Sequence, residues 1–583
     1  MGTISDKLMR IINTKEDIRQ ALISKGYDVP TSIPFKEYAK MILDLPCNAD
    51  SFPDIEGIVA RYSASGLTNE QMAANPVWVD KTGNGHDLQM KNFSWKGMSG
   101  VGGYVGDFSK WVNNRDTTEI GITKSNSKVI IDVKVSQGSG KNIVFISKSN
   151  LGISNNVTIK ITSTYPEGVM KFANSASNKY LKLPSNGIIT LQDNPEYTSN
   201  EMHLHLASAD LGQITIEQLP LYPGALVFDG VDDWAGCDNL PLLPKEKGYS
   251  IIALRNWITR YDATQYKRPL ISNLDTNDEG AFLIEYRKDE NVNDVTGSYN
   301  SFTDVYIDDN NPITWQTSSS YNGQIIKKGT SKSTNKLCIC KTYFGQLSNY
   351  ANAAIWEIVI LDHDATEEEL TKIKDYFVKT YPWLFPDQAW TVTGKTNEDE
   401  DRATIANITG NGNDLVLSNF GFAEGSGYNE EGEYAGYLVT DGVDDMITSS
   451  AFNIGKDFTI VGDWKFIDNK KSGTGLVKGS SFYIYNTMIG LDLYINSGSV
   501  KNSLDGIKSI NAACSDGRAY DRNWNEILAN TGNVVGSGGT LEVSSSGGRF
   551  DRIAFKNLAI YPRILSKEDC IKAYNYLQTL KAK

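Results

Sequence analysis

No stretch of this 583-residue chain approaches the ~20 consecutive apolar residues that a membrane-spanning helix needs. Its first residues lack the apolar core of a signal peptide, so membrane insertion and Sec export are not expected. Cysteine is sparse: six residues with no dense spacing. That argues against a disulfide-stapled scaffold and suits reduced thiols in a chain made in the cytosol. Cys338 and Cys340 lie two apart in a strand-like run, where both would face one side and neither could bridge the other. Histidine is rarer still, with four residues. His203 and His205 have metal-compatible spacing on one strand face, but His86 and His363 are distant and no third ligand is evident. Positive charge is in deficit: 57 Lys and Arg against 70 Asp and Glu give −13, which argues against a general phosphate-binding surface, though not against a local basic patch, and no nucleic-acid partner is expected. The chain has no G-x-S-x-G elbow, and its glycine-rich turns lack the lysine and long helix of a P-loop.

What the chain does have is a repeat. Thr82–Leu88 with Asn92 and Phe93, and Thr409–Leu415 with Asn419 and Phe420, share the pattern TGNGxDLxxxNF. A second marker is Phe228–Asp233 (FDGVDD), matched by Thr440–Asp445 (TDGVDD). A third pairs Ile358, Ile360, Thr366, Glu368 and Tyr376 with Leu558, Ile560, Ser566, Glu568 and Tyr576. Three markers in the same order mean one domain type used twice. From Thr82 to Asp229 is 147 positions, and from Thr409 to Asp441 only 32. The first copy therefore carries a single insert of about 115 residues.

The expected organisation is mainly β, with the 29 tyrosines, 51 glycines and Ser/Asn-rich turns favouring strands and tight turns. Residues 1–47 read as three short helices, with Ile18, Leu22, Tyr38 and Ile42 on their apolar faces. They hold too little apolar surface to fold alone and are expected to dock on other chains. Residues 52–114 plus 223–384 form the first copy, and 387–583 the second. Residues 115–222 form an inserted β-sandwich. There Val129, Ile131, Val133 and Val135 alternate with polar neighbours, as do Val157, Ile159 and Ile161, and Met202, Leu204 and Leu206. About seven such runs suit an immunoglobulin-like module. Tyr381–Pro386 should be a stiff, packed linker.

The repeated unit resembles the laminin G-like branch of the concanavalin A-like lectin/glucanase superfamily. The residues that carry the resemblance are Trp78, Asp80 and Thr82–Gly85, the box Phe228–Asp233, and the closing run Ala559–Ser566 with Glu568. In the second copy Ile405 and Asn407 replace Trp78 and Asp80, and Thr440 replaces Phe228. The resemblance covers about 420 residues and implies two jelly-roll sandwiches of antiparallel sheets, a fold used for sugar binding, glycan hydrolysis or structural contacts. The segment TKEDIRQALISKGYDV, with FKEYAKMI after it, resembles N-terminal segments of phage tail and fibre proteins, particularly of crAss-like phages infecting gut Bacteroidales. That resemblance implies a virion location, a homotrimer, and attachment to other virion proteins through the N-terminal helices.

Each chemical motif has a plainer structural alternative. The FDGVDD boxes could hold Ca²⁺, a cation that takes hard oxygen ligands, but a tight turn with glycine at its bend explains the same residues and is the expectation. Glu398–Asp401 is the one carboxylate cluster with glycosidase character. Hydrolases aim two carboxylates across one cleft, whereas four adjacent acids read as a solvated loop. Sugar stacking falls to the aromatics: Trp95, Tyr104 and Trp111 among glycines, with Trp464 and Trp524 in the second copy, against the alternative that they pack in cores. The expectation is a virion structural protein, a tail or capsid fibre that binds host-surface glycan or neighbouring virion proteins, without catalytic activity. A glycan depolymerase or a bacterial surface lectin is the alternative.

Overall fold

The computed structural model describes residues 52–582, apart from internal stretches of which 294–310 is the longest, together with Lys15 and Arg19, both helical. Ile18, Leu22, Tyr38 and Ile42 lie outside the described residues. The chain divides into a small unit, residues 1–55 with 368–376, and a large one, 56–367 with 377–583. In the small unit the Phe52 ring sits edge-on to Tyr376, 4.9 Å between centroids. The large unit is mainly β, and all its named strand pairs are antiparallel.

The first repeat buries its core between two sheets. One runs Gln324–Ile325, Ser320–Tyr321, Ile313–Thr317, Ser250–Trp257, Asn352–Leu361, Leu226–Asp229, Gly100–Val101, with Ile58–Ser63 also paired to Asn352–Leu361. The other runs Val77–Trp78, Leu88–Lys91, Trp234–Cys237, Leu337–Ile339, Lys267–Ser272, Leu283–Asp289, Val292–Asn293. Tyr62, Trp78, Leu88, Phe228, Ile251, Ile284, Ile339 and Ile355 meet between them. Asn352–Leu361 is central and covered on both faces, which is why it reads as a nearly unbroken apolar run rich in β-branched residues. Its inward residues are Ala353, Ile355, Ile358 and Ile360. The step of three between Ile355 and Ile358 is a bulge: the register with Ser250–Trp257 shifts between Leu254 and Arg255.

The second repeat is built alike. Ile553–Tyr561 is its central strand, flanked by Thr459–Phe466, Gln388–Thr391 and Tyr437–Val439. Its inward residues Ile553, Phe555, Leu558 and Ile560 show the same spacing, and the register shifts between Asp463 and Trp464. The linker is packed: Pro382–Leu384 forms a 3-10 turn with Trp383 and Leu384 buried. Helix Lys567–Leu577 starts at Ser566, whose hydroxyl accepts from Asp569 N–H at 3.1 Å, as the capping-box spacing implies.

Between Gly100–Val101 and Leu226–Asp229 the chain makes two further five-stranded sheets. The insertion point is tight. Leu221 N–H donates to Gly103 O and Tyr222 N–H to Gly102 O, so the two ends of the excursion are hydrogen-bonded neighbours. Val129, Ile131, Val133, Ile159 and Ile161 face the core as their alternation requires. Val135 does not: its strand ends at Val133, and Val135 is exposed. The boundary expected at 114/115 also moves. Phe108 and Trp111 pack in this core and Val112–Asn113 pairs with Phe145–Ile146, so the excursion begins before residue 108. Asn575 of the C-terminal helix accepts from Thr158 of the insert at 2.7 Å in a buried hydrogen bond.

The five described cysteines are free and buried. Cys338 and Cys340 do not share a face. Cys340 lies in the core with Leu337 and Ile339, because its backbone turns left-handed at φ 59° where the strand ends, while Cys338 is outside that cluster.

Candidate functional site

In each repeat the TGNG turn and the DGVDD turn lie at opposite ends of one strand, Leu88–Lys91 in the first and Leu415–Ser418 in the second. In the first, Asp80 Oδ1 accepts from Thr82 N–H, Thr82 Oγ1 and Arg61 N–H, which closes the TGNG turn onto the first strand. Asp87 Oδ1 accepts from Asp80 N–H at 2.8 Å. In the second, Asn407 takes the place of Asp80: its Oδ1 accepts from Thr409 and Ala389 N–H, and Asp414 accepts from Asn407 N–H at 2.8 Å. An amide oxygen performs the same task as a carboxylate here, so the substitution keeps the turn. The TGNG boxes are structural turns.

The FDGVDD boxes are tight turns as well. Asp229 Oδ1 accepts from Val231 and Asp232 N–H, and Asp233 Oδ2 accepts from Asp229 N–H at 3.1 Å. The second copy repeats this with Asp441, Val443, Asp444 and Asp445. Gly230 and Gly442 hold φ of 76° and 74°, the left-handed bend for which the box carries glycine. Each turn gathers three carboxylates: Asp229, Asp232, Asp233 and Asp441, Asp444, Asp445. Burial pushes the Asp233 carboxyl up to about 7, with Asp229 and Asp232 adding repulsion. Asp445 is pushed up to about 6, first by burial.

Against each acidic turn lies an aromatic hairpin. Asn92 Nδ2 donates to Asp232 O at 3.0 Å, and Asn419 Nδ2 to Asp444 O at 2.9 Å. Ser94 N–H donates to Ser99 Oγ at 2.8 Å, and Gly421 N–H to Ser426 Oγ at the same distance. The Ser426 hydroxyl reaches Asp445 Oδ1 at 3.1 Å. Between these anchors sit Trp95 and Phe422, at φ 55° and 48°. Bulky side chains are rare in that conformation, so both hairpins hold an aromatic residue against its backbone preference. Both are half-buried. Trp95 stacks on Phe93, 4.7 Å between centroids at 17°. Phe422 stacks on Tyr428 at 6.4 Å, with the Arg402 guanidinium 5.1 Å over its ring.

Of the five aromatics picked from sequence, Trp95 is in this hairpin. Tyr104 is half-buried, and burial lifts its hydroxyl to about 12, with Glu217 and Glu70 adding to the rise. Trp111, Trp464 and Trp524 are corrected. They are 0–1 % exposed, each packed in a core or against another aromatic ring, and offer no face to a sugar. Phe422 was missed. Its position 327 residues after Trp95 was the available signal, but an exchange of Trp for Phe hid it.

Glu398–Asp401 is a loop: Asp399 caps Thr396 through both its backbone and its hydroxyl, and Asp401 pairs with Lys395 at 2.6 Å. Hydrogen bonds from Thr396 hold the Asp399 carboxyl below its usual range. The side chains of His203 and His205 lie outside the described residues.

No family model and no curated protein matches the chain. Among solved structures it is similar to Trypanosoma rangeli sialidase in complex with sialic acid, with 10% identity over 79% of this chain and 85% of that one, TM-score 0.24. It is also similar to the botulinum neurotoxin serotype C1 binding domain, with 9% identity over 60% and 88%, TM-score 0.21. Likenesses this loose fix no residue correspondence. They do correct one expectation. The lack of two carboxylates alternating on one strand pointed to a chain without catalytic activity. The matches include sialidases, which are enzymes, so the lack of that one motif does not exclude catalysis.

Proposed function

We propose that this chain is a glycan-recognising appendage of a tailed-phage particle, and that each repeat reads sugar at the end where its aromatic hairpin meets its acidic turn. The observation that carries the reading is the paired outlier: Trp95 and Phe422, at equivalent places, are both held left-handed and half-buried in hairpins that hydrogen-bond to an acidic turn. A flat ring stacks on the apolar face of a pyranose, and carboxylates accept from its hydroxyls. Strain kept in both copies at one site points to use rather than accident. The two repeats are read as concanavalin A-like jelly rolls and the insert as an immunoglobulin-like sandwich. The support is the order of motifs, and the two facing sheets around each repeat core. The particle location rests on the N-terminal text, with Ile18, Leu22, Tyr38 and Ile42 as docking contacts in a homotrimer.

The test is binding of the full chain to a glycan microarray and to host capsule. Trp95→Ala and Phe422→Ala should each weaken binding, and the double variant should abolish it while its circular dichroism spectrum stays unchanged. Undiminished binding by the double variant refutes the site. The same incubations read any release of sugar, which would add a hydrolytic step to recognition. Leu22→Asp with Ile42→Asp should remove the protein from assembled particles. Normal incorporation would place the anchor elsewhere.

A further inference from the structure

Two of the buried thiols meet. Cys514 ends the strand Ile510–Cys514, and Cys570 stands near the start of the helix Lys567–Leu577, 56 positions further on. Both are fully buried. The Cys570 S–H donates to the Cys514 sulfur, which holds the Cys514 thiol below its ordinary range and pushes that of Cys570 above it. Two more contacts fix Cys514 against the approach to the helix: Thr459 Oγ1 lies 3.6 Å from its Sγ, and Leu565 O lies 3.9 Å away. The same Thr459 hydroxyl accepts from Leu565 N–H at 2.9 Å. This junction does not require cysteine. In the first repeat Ser250 takes the place of Thr459, its hydroxyl accepting from Ala365 N–H at 2.7 Å. The residue paired with Ser250 is Thr317, where Thr459 is paired with Cys514. The offset of 200 sets Leu370 at the position of Cys570. The same place in the fold thus carries Thr and Leu in one copy and two touching sulfurs in the other.

We propose that Cys514 and Cys570 are a latent disulfide, reduced where the chain is made and closed by exchange with a small-molecule disulfide once the protein meets an oxidising medium. The Cys514 thiolate attacks one sulfur of the oxidant and releases the first small thiol. Cys570 gives up its proton and attacks the Cys514 sulfur of the mixed disulfide, which releases the second. Two protein S–H bonds and one S–S bond of the oxidant are broken; one protein S–S bond and two small thiols are formed. Burial makes the exchange slow, because the oxidant reaches Cys514 only when the first turns of the helix open. The bond ties to the sheet a helix that holds more than its own repeat. Asn575 of this helix bonds to Thr158 of the insert, and the Tyr576 ring stands edge-on to Trp356 of the first repeat, 6.3 Å between centroids. A cross-link across so long a loop constrains the unfolded chain strongly. The inference stands or falls independently of the glycan site.

The experiment incubates the full reduced chain with oxidised glutathione just below its Tm, where the helix opens often, then alkylates the remaining thiols in denaturant and maps the peptides by mass spectrometry. The chain should lose the mass of two hydrogens, and the peptides carrying Cys514 and Cys570 should be joined. The oxidised protein should melt roughly 5–15 °C higher than the reduced one, as a cross-link over a loop of this length predicts for a repeat of this size. Reductant should reverse both changes. Cys514→Ala and Cys570→Ala should each lose the rise in Tm on oxidation, whatever their starting Tm, whereas Cys237→Ala should keep it. That comparison is made within each variant, so a loss of stability from the substitution itself does not blur it. Full alkylation of both cysteines after the incubation overturns the proposal. So does a cross-link to any other cysteine, or glutathione left on either residue without closure. An oxidised chain that melts no higher than the reduced one overturns the role as a lock.

Discussion

Alanine at Gly230 should cost clearly more than alanine at Gly442, although the two glycines occupy the same place in the same motif. Both have φ near +75°, so both substitutions carry the left-handed penalty of about 1–2 kcal/mol. The surroundings then separate them. A Cβ on Gly230 would lie 2.7 Å from Asn352 Cβ and 3.0 Å from its backbone nitrogen. Asn352 begins the central strand and is paired there with Asp229, so it cannot retreat without loosening the sheet. Overpacking of that kind adds about 1–3 kcal/mol. A Cβ on Gly442 would meet nothing closer than 3.2 Å, at Arg552 N, with Arg552 Cβ at 3.3 Å. Arg552 is exposed and precedes its strand, so a shift of a few tenths of an ångström relieves the contact. The expected losses are about 2–5 kcal/mol for Gly230→Ala and about 1–2 kcal/mol for Gly442→Ala. For a repeat of this size that is a fall in Tm of about 4–20 °C against about 2–8 °C. Scanning calorimetry of the two variants in one buffer measures the difference. A Gly442→Ala loss equal to or larger than that of Gly230→Ala would refute the reasoning.

Trp464→Ala and Trp524→Ala should each destabilise the second repeat by about 3–5 kcal/mol, as expected for a buried indole. Urea unfolding checks this, and a loss under 1 kcal/mol would return these residues to the surface. Thr158→Val or Asn575→Ala alone leaves one partner of a 2.7 Å buried hydrogen bond unsatisfied, for about 1–3 kcal/mol. A double-mutant cycle should show a combined loss smaller than the sum of the two; strict additivity would mean that the contact does not form in solution. Deleting residues 105–219 with a short Gly/Ser linker should leave the first repeat folded, because Gly103 and Leu221 are hydrogen-bonded neighbours. Deleting 116–222 should not, because it strands Phe108 and Trp111 without their core and removes Tyr222. Circular dichroism and cooperative melting of the two deletion variants decide between the boundaries.

The duplication, the insertion and the β class were legible in the sequence, because each is written in short-range pattern. Turns such as Thr82–Gly85 and Asp229–Asp233 are closed by side chains reaching two to four residues along the chain, so their text survives copying and can be recognised. Alternation placed Val129, Ile131 and Val133 inward for the same local reason. Tertiary structure decided what depends on distant partners. The step of three between Ile355 and Ile358 comes from a bulge against Ser250–Trp257, about a hundred residues earlier, and no count of period two along one strand contains it. Trp111 reads as a loop residue among glycines, yet it is a core residue of the insert, because burial is set by what folds over a side chain. The contact of the Trp95 hairpin with the acidic turn at Asp229–Asp233, made through Asn92, joins segments more than 130 residues apart, and it exists only once the strand Leu226–Asp229 has paired with both the central strand and Gly100–Val101.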